Sequence, residues 1–129
     1  MSQACGNFII AAGLIGAYPV IGLPISPERV YLKGATLMSG CSLVEGLATK
    51  DVPAIAPSPY NQGGIGWNIV AGVLQKYGNL DFPIYIVEFA APNRVMIAYI
   101  SEIAGNGFVL TVNTNTLTGA TLVQWVASA

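Results

Sequence analysis

Charge is nearly absent from this chain, and the places where it is absent constrain the fold more than any motif does. Of 129 residues only eleven are Lys, Arg, Asp or Glu, and all of them fall between Glu28 and Glu102. Residues 1–27 and 103–129 carry no charged side chain at all. Chain ends left free in water are ordinarily polar and disordered. Both ends are therefore expected to be docked strands, or arms lying on a partner, with 1–27 the candidate N-terminal arm.

Composition sharpens that expectation. Charged residues are 9% of the chain against about 25% in an average soluble protein, and hydrophobic residues are 53%. A net charge of -1 favours association over repulsion. Eight Asn and seven Thr solvate part of the surface. The rest is best explained by subunit contacts, whose centres are depleted in Lys, Glu and Asp.

A chain of this length matches one domain, 1–129, and buries about two thirds of its unfolded surface. No fixed-period repeat divides it. The uncharged stretch 4–25 is long enough to span a bilayer, but Pro19, Pro24 and four glycines interrupt it, so no membrane span is expected. No Lys or Arg precedes the apolar part and no cleavage site follows it, so synthesis in the cytoplasm without a signal peptide is expected. Cys5 and Cys41 do not make a disulfide framework, and two buried free thiols are the expectation.

Alternation and turn residues read as a mainly β fold, an antiparallel β-sandwich or barrel-like domain. Segments around Phe8 to Ala12 and Tyr18 to Leu23 read as glycine-interrupted strands. Arg29 to Met38 and Cys41 to Ala48 flank a Ser39-Gly40 turn. A Pro/Gly-rich loop covers 52–64, its spaced prolines favouring an extended path. Trp67, Ile69, Val70, Val73, Leu74 and Tyr77 recur at helical spacing before Gly78, which predicts one short helix near 65–77 and leaves an α+β fold as the alternative.

Pro83 to Ala90, Val95 to Ala104, Phe108 to Asn113 and Ala120 to Ala127 read as a C-terminal meander, with turns at Pro92-Asn93 and Gly105-Asn106. Pairing across those turns sets Glu88 opposite Ile97 and Glu102 opposite Val109. One face would then carry Ile84, Ile86, Ile97, Tyr99, Leu110 and Val112, and the other Tyr85, Val87, Phe89, Met96, Ile100 and Val109. Two apolar faces require covering on both sides.

The chain has no His. That removes Ser-His-Asp and Cys-His nucleophile systems and the commonest transition-metal ligand, so neither metal nor cofactor is expected. Carboxylate chemistry is the one enzymatic route the residues leave open, and it needs two acids converging across about 5–10 Å. Glu88 and Glu102 are the candidates, but the assigned register points them to opposite faces. Each reads better as a strand-edge charge partnered by Arg94 or Lys76. Gly63-Gly64-Ile65-Gly66 lacks the Gly-Lys-Ser/Thr ending of a phosphate loop and reads as loop geometry. Five scattered basic residues make no patch for nucleic acid.

These exclusions lead to a non-enzymatic structural or assembly protein, with a virion coat, decoration or tail component as the favoured setting. Its partners would be other copies of itself or another structural protein. Contacts would centre on residues 1–27, the 52–64 loop and the last strands, with Tyr18, Tyr60, Trp67, Tyr77 and Trp125 as candidate contact residues. The alternative is a β-sandwich binding module for carbohydrate or a small apolar ligand, using Tyr60, Trp67, Tyr77 and Trp125 as stacking faces.

Overall fold

The computed structural model describes residues 2–36, 42–50, 60–70, 73–79, 81–88 and 92–129, with backbone alone for 69, 70, 73–75, 77 and 79. Ten strands make up two antiparallel sheets. They are β1 (Gln3–Ile10), β2 (Gly16–Val20), β3 (Arg29–Thr36), β4 (Ser42–Thr49), β5 (Asn61–Val70), β6 (Val73–Asn79), β7 (Ile84–Glu88), β8 (Arg94–Ala104), β9 (Gly107–Asn115) and β10 (Thr121–Ser128). The larger sheet runs β1-β10-β3-β4-β5-β6 and the smaller β2-β9-β8-β7. They pack as a β-sandwich without closing into a barrel. No helix occurs among the described residues, which leaves no α+β character.

Alternation drives the layering. In β10, Thr121, Val123, Trp125 and Ala127 are buried and the residues between them are not. Val30, Leu32, Val44, Val123 and Ala127 of the larger sheet meet Ile84, Ile86, Met96, Ala98, Ile100, Leu110 and Val112 of the smaller one. Fully burying an Ile, Leu or Met side chain contributes about 1.5–3 kcal/mol, so this layer is the main driving force for folding.

The uncharged ends are docked. Residues 1–27 supply an edge strand to each sheet, and β10 lies between β1 and β3. β10 is therefore not the last strand of a meander: β7, β8 and β9 form one, and the chain then crosses to the other sheet. Residues 65–70 and 73–77 are not helix but paired strands, β5 against β6, with Val70 opposite Val73. The apolar spacing there fitted both periods, and the β-branched residues and three glycines at its start weigh against a helix. Of the 52–64 loop, 52–59 lie outside the described residues, as does the Ser39-Gly40 turn, while 61–64 are already strand.

The β8–β9 turn is as read, with Gly105 at φ 56° and Glu102 opposite Val109. The β7–β8 register is not. Glu88 faces Arg94 and Ile97 faces Tyr85. That shift of three residues is odd, so it exchanges the faces of β8: Met96, Ala98 and Ile100 point inward, while Ile97 and Tyr99 point outward. Two irregularities keep β9 in step. Ser101 is extra between the Ile100–Leu110 and Glu102–Val109 pairs, and Asn113 between Ala98–Val112 and Ile97–Thr114.

The sheets are also fastened by polar side chains. β7 begins opposite Ala98, so beyond that point β8 has no strand on that flank among the described residues. Gln62 of β5 takes the missing place. Its Nε2 donates to the Ile100 carbonyl at 3.0 Å, and its Oε1 accepts the Ile100 N–H at 2.8 Å. The Tyr60 hydroxyl accepts the Ile103 N–H at 2.8 Å. Further along, Asn68 Nδ2 and Ser42 Oγ both donate to the Val87 carbonyl.

Glycine permits the approach between these bonds. A Cβ on Gly46 would stand 2.2 Å from the Pro83 carbonyl oxygen, and one on Gly64 would stand 2.5 Å from it. The glycines at 63–66 thus serve a strand interior rather than a loop. Two outcomes are expected in urea unfolding. Gln62→Ala strands both backbone groups of Ile100 and should destabilise by about 2–4 kcal/mol, whereas a loss under about 0.5 kcal/mol, typical of an ordinary surface change, would deny the clamp. Gly46→Ala forces backbone apart and should cost about 1–3 kcal/mol; unchanged stability would mean that the sheets do not need this contact.

Candidate functional site

The β-strand period sends every second side chain of the larger sheet away from the core, and the register aligns those side chains into rows. One row runs Ile9, Leu122, Ala35, Leu43, Trp67. The next runs Asn7, Gln124, Lys33, Glu45, Ile65, and the third Cys5, Val126, Tyr31, Leu47, Gly63. The outer face is thus two largely apolar rows separated by a mostly polar one. Ile9 is 59% exposed, Ile65 52%, Leu47 43% and Leu43 37%, so this apolar surface is open to solvent. Exposed apolar residues gathered in register mark contact sites, which scattered single ones do not.

Glycine shapes the middle of the face. Gly63 and Gly78 place no side chain there, and an open groove of about 660 Å³ lies between Tyr31, Leu47 and Ile65. A neighbouring hollow of about 400 Å³ is bounded by Ile65, Trp67 and Lys76. Electrostatics are weak across it. Lys33 and Glu45 are cross-strand neighbours 3.8 Å apart and partly exposed, a geometry that contributes little. Partial burial, and then a hydrogen bond and the charge of Glu45, raise the Tyr31 phenol above its ordinary value of 10.0.

A second exposed apolar strip lies at the N-terminal end, where Leu14, Ile15 and Ile21 flank β2. Asn115 holds its turn in place, its Nδ2 donating to the carbonyls of Ala11 and Leu14. The outer face of the smaller sheet is half-buried rather than open: Tyr85, Val87, Ile97, Tyr99 and Val109 all keep partial cover.

The five aromatic residues singled out from sequence do not converge. Tyr18 stacks on Phe8 with ring centres 5.5 Å apart, joining the edges of the two sheets. Tyr60 is spent on the Ile103 amide, and Trp125 is buried edge-on against Phe108 at 5.3 Å. Tyr77 lies opposite Gly66 in the register, and its side chain is outside the described part. Trp67 alone of the five stands in an outer-face row. The residues missed were Ile9, Tyr31, Leu43, Leu47 and Ile65. For Tyr31, Leu43 and Leu47 the signal was present as alternation in Tyr31-Leu32-Lys33 and Leu43-Val44-Glu45-Gly46-Leu47, which assigns a face once β3 and β4 are paired.

Chemistry-bearing groups stay apart as well. Glu88 pairs with Arg94 at 3.6 Å and accepts the Thr118 hydroxyl at 3.0 Å. Its register partner Arg94 stands eight residues before Glu102 along β8, about 26 Å at 3.3 Å per residue. They form no acid pair. Cys5, expected to be buried, is exposed on the edge strand, because β1 has its odd-numbered side chains on the open face. Cys41 lies outside the described residues. No cluster of three or more metal-ligating side chains occurs among the described residues.

The Tyr31 shift has a testable sign. Its folded value is raised, so the folded state holds the proton more tightly than the unfolded chain, and the associated stability is present in full below pH 10 and lost as pH rises through the folded value. Wild type should lose urea resistance more steeply above pH 10 than Tyr31→Phe. Parallel alkaline curves would mean that folding does not raise the Tyr31 phenol. No protein-family model matches the chain, and no curated protein or solved structure is significantly similar to it.

Proposed function

We propose that this protein is a non-enzymatic structural subunit that works through contacts with copies of itself or with another structural protein. The observation that carries the reading is the open apolar face of the six-stranded sheet, on which Ile9, Leu43, Leu47 and Ile65 all stand solvent-exposed. Low charge supports it from a second direction. The uncharged first 27 residues run along the edges of both sheets and add Leu14, Ile15 and Ile21 to the exposed apolar area. A particle shell, such as a virion coat or its decoration, is the kind of assembly that suits a small subunit with contact surface on several sides.

A binding module for carbohydrate or a small apolar ligand is the second reading, favoured by the groove beside Tyr31 and Ile65. Against it, the candidate stacking aromatics are not gathered at one mouth: Tyr60 bonds the Ile103 amide, Trp125 is in the core and Trp67 stands in an outer-face row. The two readings part on one pair of substitutions. Leu47→Lys with Ile65→Lys puts two charges in the proposed contact and should weaken self-association about tenfold or more, read by sedimentation velocity and negative-stain electron microscopy. If association persists undiminished in the double variant, this face is not the contact.

A further inference from the structure

Four strands end the two sheets, and three of them carry devices that discourage pairing with another chain. β2 has five residues and contains Pro19, β7 has five and ends on Glu88, and β6 carries Lys76. Short length, proline and charge are the usual guards of an edge. β1 has none of them: its eight residues, Gln3 to Ile10, include neither charge nor proline. No strand pairs with its outer side among the described residues.

The direction of its free backbone groups follows from one bond. The Ser2 carbonyl accepts the Ala129 N–H at 3.2 Å, and the ladder continues with Gln3 opposite Ser128. Antiparallel alternation then turns the backbone groups of Ala4, Gly6, Phe8 and Ile10 towards β10 and those of Gln3, Cys5, Asn7 and Ile9 outward. We propose that this edge pairs antiparallel with β1 of a second copy, joining two six-stranded sheets into one continuous sheet across a two-fold axis. The inference deepens the assembly reading and rests on it.

Hydrogen-bond parity fixes the register. Outward-facing residues must oppose outward-facing residues, and among such registers the one centred on Gly6 is the one that pairs all four of Gln3, Cys5, Asn7 and Ile9. It sets Gln3 opposite the partner's Ile9 and Cys5 opposite the partner's Asn7, with about eight new backbone hydrogen bonds. On the inner face Ala4 meets the partner's Phe8, small against large. A charged strand would find nothing to pair with, because the first 27 residues and all of β10 are uncharged. An identical uncharged edge satisfies the ladder without leaving an unpaired ion, and a two-fold contact of this kind closes on itself.

In this register the two Cys5 side chains become diagonal neighbours about 7–8 Å apart on the open face. In protein carrying Cys41→Ser, a short bis-maleimide should therefore link Cys5 to Cys5 in high yield. Asn7→Pro removes an outward N–H while leaving the β10 ladder intact, and should cut the yield about tenfold or more with an unchanged melting temperature. Asn7→Lys, which sets like charges on the other diagonal of the same four residues, should do the same if the proline variant fails to fold. An oligomer by light scattering whose Cys5 does not crosslink overturns the edge pairing and leaves the assembly reading standing, as does a yield that neither substitution lowers. A monomer with no crosslink overturns both.

Discussion

The amide of Gln62 holding both backbone groups of Ile100 is the contact on which the arrangement of the two sheets turns. Apolar burial would be satisfied by many relative placements of two sheets, because it has no direction. Hydrogen bonds from Tyr60, Gln62, Asn68 and Ser42 to backbone of the other sheet have direction, and they fix where β7 and β8 lie over β4 and β5. Gly46 and Gly64 then allow Pro83 to settle at a separation no Cβ would permit. The cost of freeing Ile100 from a strand neighbour is offset inside the core, by a side chain that is only 4% exposed.

That fastening leaves the larger sheet with an inner face fully committed and an outer face free. The polarity of the chain is spent accordingly. The side chains of Gln62, Asn68, Ser42 and Asn115 are engaged between the sheets or at turns, and several of the few charges neutralise one another locally, as Lys33 with Glu45 and Glu88 with Arg94. What remains for solvent is unusually apolar: the rows headed by Ile9 and Cys5 on the open face, and the strip around Leu14 and Ile21. A surface of this kind is stable in water chiefly when another chain covers it, which connects the composition to the proposed role as a subunit.

Much of this was legible in the sequence. Docked, uncharged ends, the β3–β4 pair, the last four strands and the Gly105-Asn106 turn all follow from alternation and turn residues. What failed did so for identifiable physical reasons. The apolar spacing of Trp67 to Tyr77 fits a helix and a hairpin alike, and only pairing with β4 decides between them. The faces of β8 depend on a connection whose length the Pro92-Asn93 dipeptide misreported, and on bulges at Ser101 and Asn113 that have no local signature. The clamp was invisible for a different reason: a Gln on a strand gives no sign that it will face inward until the partner sheet supplies a backbone needing it. The apolar rows required register across six strands, which no single segment contains.

If other chains cover the open sheet surface, light scattering on the purified wild-type protein over a dilution series should return a native mass of at least two chains at high concentration, falling towards one on dilution or holding as a closed assembly. A single-chain mass that persists at the highest concentration, with no tendency to precipitate, would contradict it.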